Sequence, residues 1–251
     1  MKLVALALAT VALAACGDNL WPDRGPDLSL HDEIFVSSRD HGVMCAGNSD
    51  DHAYGWRSAV AAIDRAATRG EIVQLFMHDP GVRVSRASIE HVLAAARERG
   101  VRFVTYRELA TGEAHGPALA LSFDDWFVDL WYAQRDLFAA YDARVTFFVA
   151  LYRYYDADTR AQLKQLAADG HDIEYHGTFH QSAPGYVEEH GMDAYVAQEI
   201  DPALAEMRAD GFDPVVFAYP AGLRTPELDA RMLEMFSLVR ATTLHCPHMD
   251  E

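Results

Sequence analysis

Positive charge is scarce in this chain. Its 251 residues hold 21 Lys and Arg against 38 Asp and Glu, a formal net charge of −17. Duplex binding needs clustered cations to neutralise phosphates, so the balance argues against a nucleic-acid partner. Acidity otherwise implies solubility and names no substrate. There are only three cysteines, too few for a fold built on disulfides. The longest apolar run, Leu3 to Ala15, falls short of the roughly 20 residues needed to span hydrocarbon about 30 Å thick. Internal repeats, low-complexity tracts and a strong interdomain linker are also absent. What remains is ordinary globular composition, 50% hydrophobic and 24% charged, enough for one large domain or two small ones.

The first residues read as a targeting segment. Lys2 precedes the apolar run, whose one polar residue is Thr10, the pattern of a signal-peptide core. The run ends Leu13-Ala14-Ala15-Cys16, which resembles the bacterial lipobox. That resemblance implies cleavage before Cys16, its lipidation, and an exported chain anchored in a membrane by the N-terminal lipid, at the periplasmic or outer surface of the envelope. A plain secretory signal is the alternative. On this reading residues 1–15 are signal, 16–32 a tether and 33–251 a single domain. Export exposes the remaining Cys45 and Cys246 to an oxidising compartment; the sequence leaves open whether they pair.

From there strand and helix patterns alternate. β-Branched or aromatic runs recur at Ile72–Met77, Val101–Tyr106, Ala118–Phe123, Arg144–Ala150, His171–His176, Pro214–Tyr219 and Ser237–Thr243. Ser85 is placed to cap a helix running to Arg99, Asp156 one over Ala157–Asp169, and Thr225-Pro226 one reaching Phe236. Repeated βα units predict an α/β fold with a parallel sheet or barrel. In such barrels chemistry gathers at the C-terminal strand ends.

Two of those ends carry metal-site chemistry. The run Ala118–Phe123 leads directly into Asp124-Asp125, and adjacent carboxylates after an apolar strand are costly unless paired or bound to metal. The run ending at Tyr175 delivers His176 and His180, whose i, i+4 spacing suits one metal if the segment is helical. Two His and one Asp supply three ligands and leave a position for water or substrate.

These segments resemble the polysaccharide deacetylases of the NodB-homology type, carbohydrate esterase family 4. Ser122-Phe123-Asp124-Asp125 is similar to the first family motif and Val145-Thr146-Phe147-Phe148-Val149 to its next strand. His176–His180 is similar to the second motif, and Ala218-Tyr219-Pro220-Ala221-Gly222 to the third. The resemblance implies a distorted (β/α)7 barrel with Asp124 as catalytic base. It implies a divalent metal, zinc or similar, on Asp125, His176 and His180. The backbone N–H of Ala221 would hold the oxyanion, and Tyr219, Pro220 and Trp126 would contact an acetylated polysaccharide or peptidoglycan.

The family's final strand, which ends in the general acid His, does not follow Thr243. Ile72-Val73-Gln74-Leu75-Phe76-Met77-His78-Asp79 resembles it, and Val101–Leu109 resembles the family's end. A circular permutation follows, with residues 33–110 as the family's C-terminal part, 117–245 as its N-terminal part, and His78 as the acid. Cys45 and Cys246 would then lie near one seam and could form a disulfide. Departures remain. Ala218 replaces the third-motif Arg that pairs with the base, leaving Arg224 or Arg240 as substitutes, and Trp126 replaces a Gly. Asn48-Ser49-Asp50-Asp51 with Trp56 stands where the fourth motif belongs, at the wrong spacing. A carbohydrate-binding relative without activity, or a hydrolase of another C–N or ester bond, are the competing expectations.

Overall fold

The computed structural model describes residues 27–37 and 42–246. The proposed signal segment and the lipidation residue Cys16 lie outside them. Nine strands form one sheet: β1 Phe35–Val36, β2 Val43–Asn48, β3 Ile72–Met77, β4 Arg102–Phe103, β5 Ala118–Asp125, β6 Thr146–Val149, β7 Asp172–Tyr175, β8 Val216–Ala218 and β9 Leu238–Thr242. Seven of them close into a parallel barrel. Each of β5 to β8 pairs with the next, β9 pairs with β2, β2 with β3, and β3 returns to β5. β1 lies antiparallel to the start of β3, and β4 runs along the first two residues of β5. The expected (β/α)7 barrel is therefore the observed one.

The period-2 alternation of a strand sorts its side chains into two layers. Outward residues such as Val73, Leu75, Leu119, Leu121, Phe147 and Ile173 join the shell of helices in one buried cluster. Inward residues such as Ile72, Ala118, Ala120, Phe148, Ala218 and Leu238 fill the barrel with Tyr106, Leu109 and Ala110 from the helix Tyr106–Thr111. Alanines at three inward positions leave room for those larger plugs. Each fully buried Leu, Ile or Phe contributes about 1.5–3 kcal/mol.

The helices follow their apolar spacing. In Gly55–Arg69 the buried residues are Ala59, Ala62, Ile63 and Ala66, one stripe at i, i+3, i+4 and i+7, and left-handed Gly70 ends the helix. Ser85, Asp156 and Thr225 each accept a backbone N–H as N-caps. Two expectations need correction. The strand expected over Val101–Tyr106 shrinks to Arg102–Phe103, because Thr105 and Glu108 form a capping box that opens a helix at Tyr106. The tether expected over 16–32 does not extend that far. Leu28 is wholly buried, and its N–H donates to Ser58 Oγ at 2.6 Å.

The structure joins Cys45, on β2, to Cys246, just after β9, as a disulfide with a Cα separation of 6.1 Å. The two strands are already neighbours, with Cys45 opposite Ala241. The bond links positions 201 residues apart, and cross-links of this kind typically stabilise by about 2–4 kcal/mol.

His171, just before β7, sits between Phe138 and Phe147 with its Nδ1 accepting the Val145 N–H at 3.2 Å. Burial pushes its pKa down to about 4. The neutral ring is favoured in the fold, so between about pH 6.5 and 4 the unfolded chain binds more protons and stability falls as pH falls. Urea denaturation across this range is expected to show a loss on the order of 2 kcal/mol, largely removed in His171→Asn. Parallel pH profiles for the two proteins would contradict this.

Candidate active site

The C-terminal strand ends converge on a cavity of about 410 Å³ lined by His78, Asp124, Asp125, Trp126, His176 and His180, with Tyr219 and Ala221 on its wall. Four strands deliver the functional groups: His78 after β3, Asp124 and Asp125 at the end of β5, His176 and His180 after β7, and Ala221 after β8. A closed parallel barrel brings these ends to one rim regardless of their distance in sequence.

Asp125, His176 and His180 form the one cluster among the described residues with metal-ligand geometry, their donor atoms all within 4.8 Å of one another. Asp125 Oδ1 lies 3.1 Å from His180 Nε2 and 3.6 Å from His176 Nε2. Ligands bonded to one ion at about 2.0–2.2 Å need spacings of this order. His176 Nδ1 donates to the Ala218 carbonyl at 2.8 Å, which turns the Nε2 lone pair toward the cluster. The donor set thus fits a divalent ion. Burial works against Asp125 ionising, but the two imidazoles and His78 outweigh it and hold this carboxyl well below the usual range. The segment His176–His180 is not helical, contrary to the condition set by its spacing. Gly177 (φ +96) and His180 (φ +59) are both left-handed, and this turn brings the rings to a 4.8 Å centroid separation.

Asp124 is 3% exposed. Its Oδ2 accepts from Arg240 at 2.5 Å, while its Oδ1 is buried with no protein partner. Arg240 stands opposite Ala218 across the β8–β9 ladder, so the cation missing from one strand is supplied by its neighbour. The guanidinium is itself fully buried, 4.9 Å from the ring centres of Phe76 and Phe148. Arg224, the other candidate, is bound to Asp229 instead.

His78 Nδ1 contacts Asp50 Oδ2 at 2.5 Å, and the His78 N–H donates to Asp50 Oδ1 at 3.0 Å. Asp50 is wholly buried. The pair leaves Nε2 as the nitrogen for the cavity. Of the residues standing in the fourth motif's place, Asn48 lines the cavity and Asp50 reaches it through His78. Asp51 accepts from the Ser85 N–H, and Trp56 stacks on His91. Ala221 carries a left-handed backbone (φ +55), uncommon without a glycine and a frequent mark of functional turns. Trp126 is 40% exposed at the rim, edge-on to His180. Pro220 is buried and does not line the cavity, so the structure does not place it for the substrate contact expected of it.

Residues 111–235 match the family model described as polysaccharide deacetylase. The chain belongs to the polysaccharide deacetylase family. Its chemistry is accordingly hydrolytic deacetylation, at a carbon–nitrogen bond outside peptides or at an ester. Among solved structures, the chain is similar to IcaB from Ammonifex degensii at 24% identity, covering 69% of this chain and 85% of that one, with a TM-score of 0.58. The Streptococcus pyogenes deacetylase PplD, solved with acetate, is 20% identical over 64% of this chain and 80% of that one, TM-score 0.51. A de-N-acetylase from Aggregatibacter actinomycetemcomitans is 15% identical over 68% and 87%, TM-score 0.54. At these identities the likeness is one of fold. No curated protein matches the chain.

Two contacts of the deacetylase site escaped the sequence reading. Arg83 donates to Asp125 Oδ2 at 3.2 Å from the turn after His78. Glu199, wholly buried, accepts the Phe179 and Gln181 N–H groups. Neither lies in a motif, and each acts through contacts that only the folded barrel brings together.

Burial opposes the charge on His78, yet its Asp50 bond and the nearby Asp124 and Asp125 raise its pKa above the ordinary 6.5. A group acting as acid loses its active form as pH rises through its pKa. The basic limb of kcat/KM for the deacetylase is therefore expected above pH 6.5. In Asp50→Asn, pH–rate profiles should show that limb moved to lower pH with a reduced plateau. An unmoved limb would detach Asp50 from His78's protonation.

Proposed function

We propose that this chain is a divalent-metal-dependent deacetylase, with zinc the expected ion, that removes acetyl groups from an envelope or extracellular polysaccharide, peptidoglycan included. The observation that carries the reading is the division of labour around one cavity. Asp124 has a free oxygen, His78 has a carboxylate behind it, and three candidate ligands line the same cavity. A non-catalytic sugar-binding site needs neither a base nor an acid.

An ion held by Asp125, His176 and His180 supplies Lewis acidity, polarising the acetyl carbonyl and acidifying water. Asp124 Oδ1 takes the proton from the water whose oxygen attacks the acetyl carbon. Arg240 pairs with the Asp124 carboxylate and orients it through Oδ2; an unpaired charge at that depth would cost several kcal/mol. The Ala221 N–H faces the oxygen on which negative charge develops. His78 gives its proton to the leaving nitrogen as the C–N bond breaks, releasing acetate and the free amine. Trp126 at the rim, and Tyr154 and Phe179 with ring centres 6.1 Å apart, offer partly exposed rings of the kind on which sugars stack.

The same reading takes the domain as circularly permuted, with residues 33–110 following 117–245 in the family's order. The ladder between β9 and β2 and the disulfide beside it support this, because they make the barrel continuous across the proposed seam. His78, ahead of the matched span 111–235, supplies a group the span itself lacks. The reading also includes export and a lipid anchor on Cys16, supported by the run Leu3 to Ala15 ahead of it.

Release of acetate from acetylated chito-oligosaccharide or peptidoglycan tests the function. Chelation is expected to abolish it, and Asp124→Asn to lower kcat by 10²-fold or more, the scale of general-base catalysis. Turnover that survives either change would sink the mechanism. For the anchor, cell fractionation should find the chain with membranes and Cys16→Ala in soluble fractions or the medium; identical partitioning of the two would rule out lipidation at Cys16.

A further inference from the structure

The loop that carries His180 is held in an unfavourable conformation by a residue far along the chain. His180 is left-handed (φ +59), a state that costs a non-glycine residue on the order of 1 kcal/mol or more. Such a residue persists only where its surroundings over-determine it. Here Glu199 does so. Its Oε2 accepts the Phe179 N–H at 2.9 Å and its Oε1 the Gln181 N–H at 2.8 Å, bracketing His180 on both sides. Its own carbonyl accepts the Thr178 N–H at 2.8 Å and the Tyr175 hydroxyl at 2.8 Å. Thr178, Phe179 and Gln181 are thus each tied directly to Glu199, on both sides of His180.

Three further observations point to a purpose beyond packing. Glu199 is wholly buried, and among the described residues no Lys or Arg lies within ion-pairing distance of it. A buried carboxylate without a cation is costly, so its retention points to the loop that its oxygens hold. Glu199 lies in a single π-turn, Val196–Ile200, a rare distortion found mostly at functional sites. Gly177 (φ +96) packs so tightly on it that a Cβ there would fall 2.7 Å from Glu199 Oε1.

We propose that Glu199 is the positioning residue of the metal site, pre-setting His180 for ligation through two carboxylate-to-amide bonds. This rests on the reading of Asp125, His176 and His180 as metal ligands. A glutamine of the same shape cannot substitute, since its amide has one acceptor oxygen and would turn an NH2 toward a backbone N–H. Groups that orient ligands from behind typically alter metal affinity by 10–100-fold when replaced.

The test is Zn²⁺ affinity of the purified full chain, measured by competition with a chromophoric chelator. The parent is expected to take up one ion per chain, and Glu199→Gln to bind it 10–100-fold more weakly. In a His180→Ala background the Glu199→Gln change should add less than twofold, because the ligand through which Glu199 acts is gone. Glu199→Gln within twofold of the parent overturns the proposal. So does an undiminished Glu199→Gln effect in the His180→Ala background, which would mean a general structural role. If Glu199→Gln fails to fold, Gly177→Ala decides. It presses on the same carboxylate and should weaken Zn²⁺ binding at least 5-fold; affinity within twofold of the parent overturns the proposal. A parent that takes up no divalent ion overturns the metal reading itself, an outcome distinct from a variant that binds as the parent does.

Discussion

The interior of this barrel is organised by one ion pair. Asp124 and Arg240 are both buried, and neither could remain there alone. The pair crosses the barrel, from β5 to β9. The interior around it shows what holding it requires. Alanines line the strands on either side, Phe76 and Phe148 lie against the guanidinium, and Tyr106 enters from the helix beneath. Because one carboxylate oxygen is committed to Arg240, the other is left unpartnered toward the cavity. The fold's solution to burying a charge is also what equips that charge to accept a proton.

A second principle repeats around the rim. The proposed acid and the three candidate ligands are each held by a partner. Asp50 stands behind His78 and the Ala218 carbonyl behind His176, Arg83 reaches Asp125 from the cavity wall, and Glu199 holds the loop of His180. The backing partners come from other strands or loops than the groups they serve. The site is therefore a property of barrel closure rather than of any one segment, and the ladders β3–β5 and β9–β2, which close the ring, are as necessary to it as the ligands.

The strand expectations were best where apolar β-branched runs are uninterrupted. Ile72–Met77 is observed with those bounds. They failed for Val43–Asn48, a barrel strand that went unrecognised. Its sequence, Val-Met-Cys-Ala-Gly-Asn, has little intrinsic strand preference, and it is extended because β9 and β3 pair with it on both sides. Tyr106 failed in the opposite way. Aromatic and following a β-rich run, it reads as strand, yet the capping box next to it opens a helix. Both are cases where pairing or capping overrides the preference of single residues.

The sequence by itself determined the alternation of elements, the carboxylate pair at the end of an apolar strand, the two histidines after another, and the presence of His78 ahead of them. These are local patterns, set by burial and periodicity within a few residues. Only the tertiary structure decided which Arg meets Asp124, which carboxylate turns His78, whether Cys45 and Cys246 meet, and how a non-helical turn brings His176 and His180 together. Those outcomes depend on which strands become neighbours when the barrel closes. No spacing along the chain encodes a contact between residues 28, 116 or 201 positions apart.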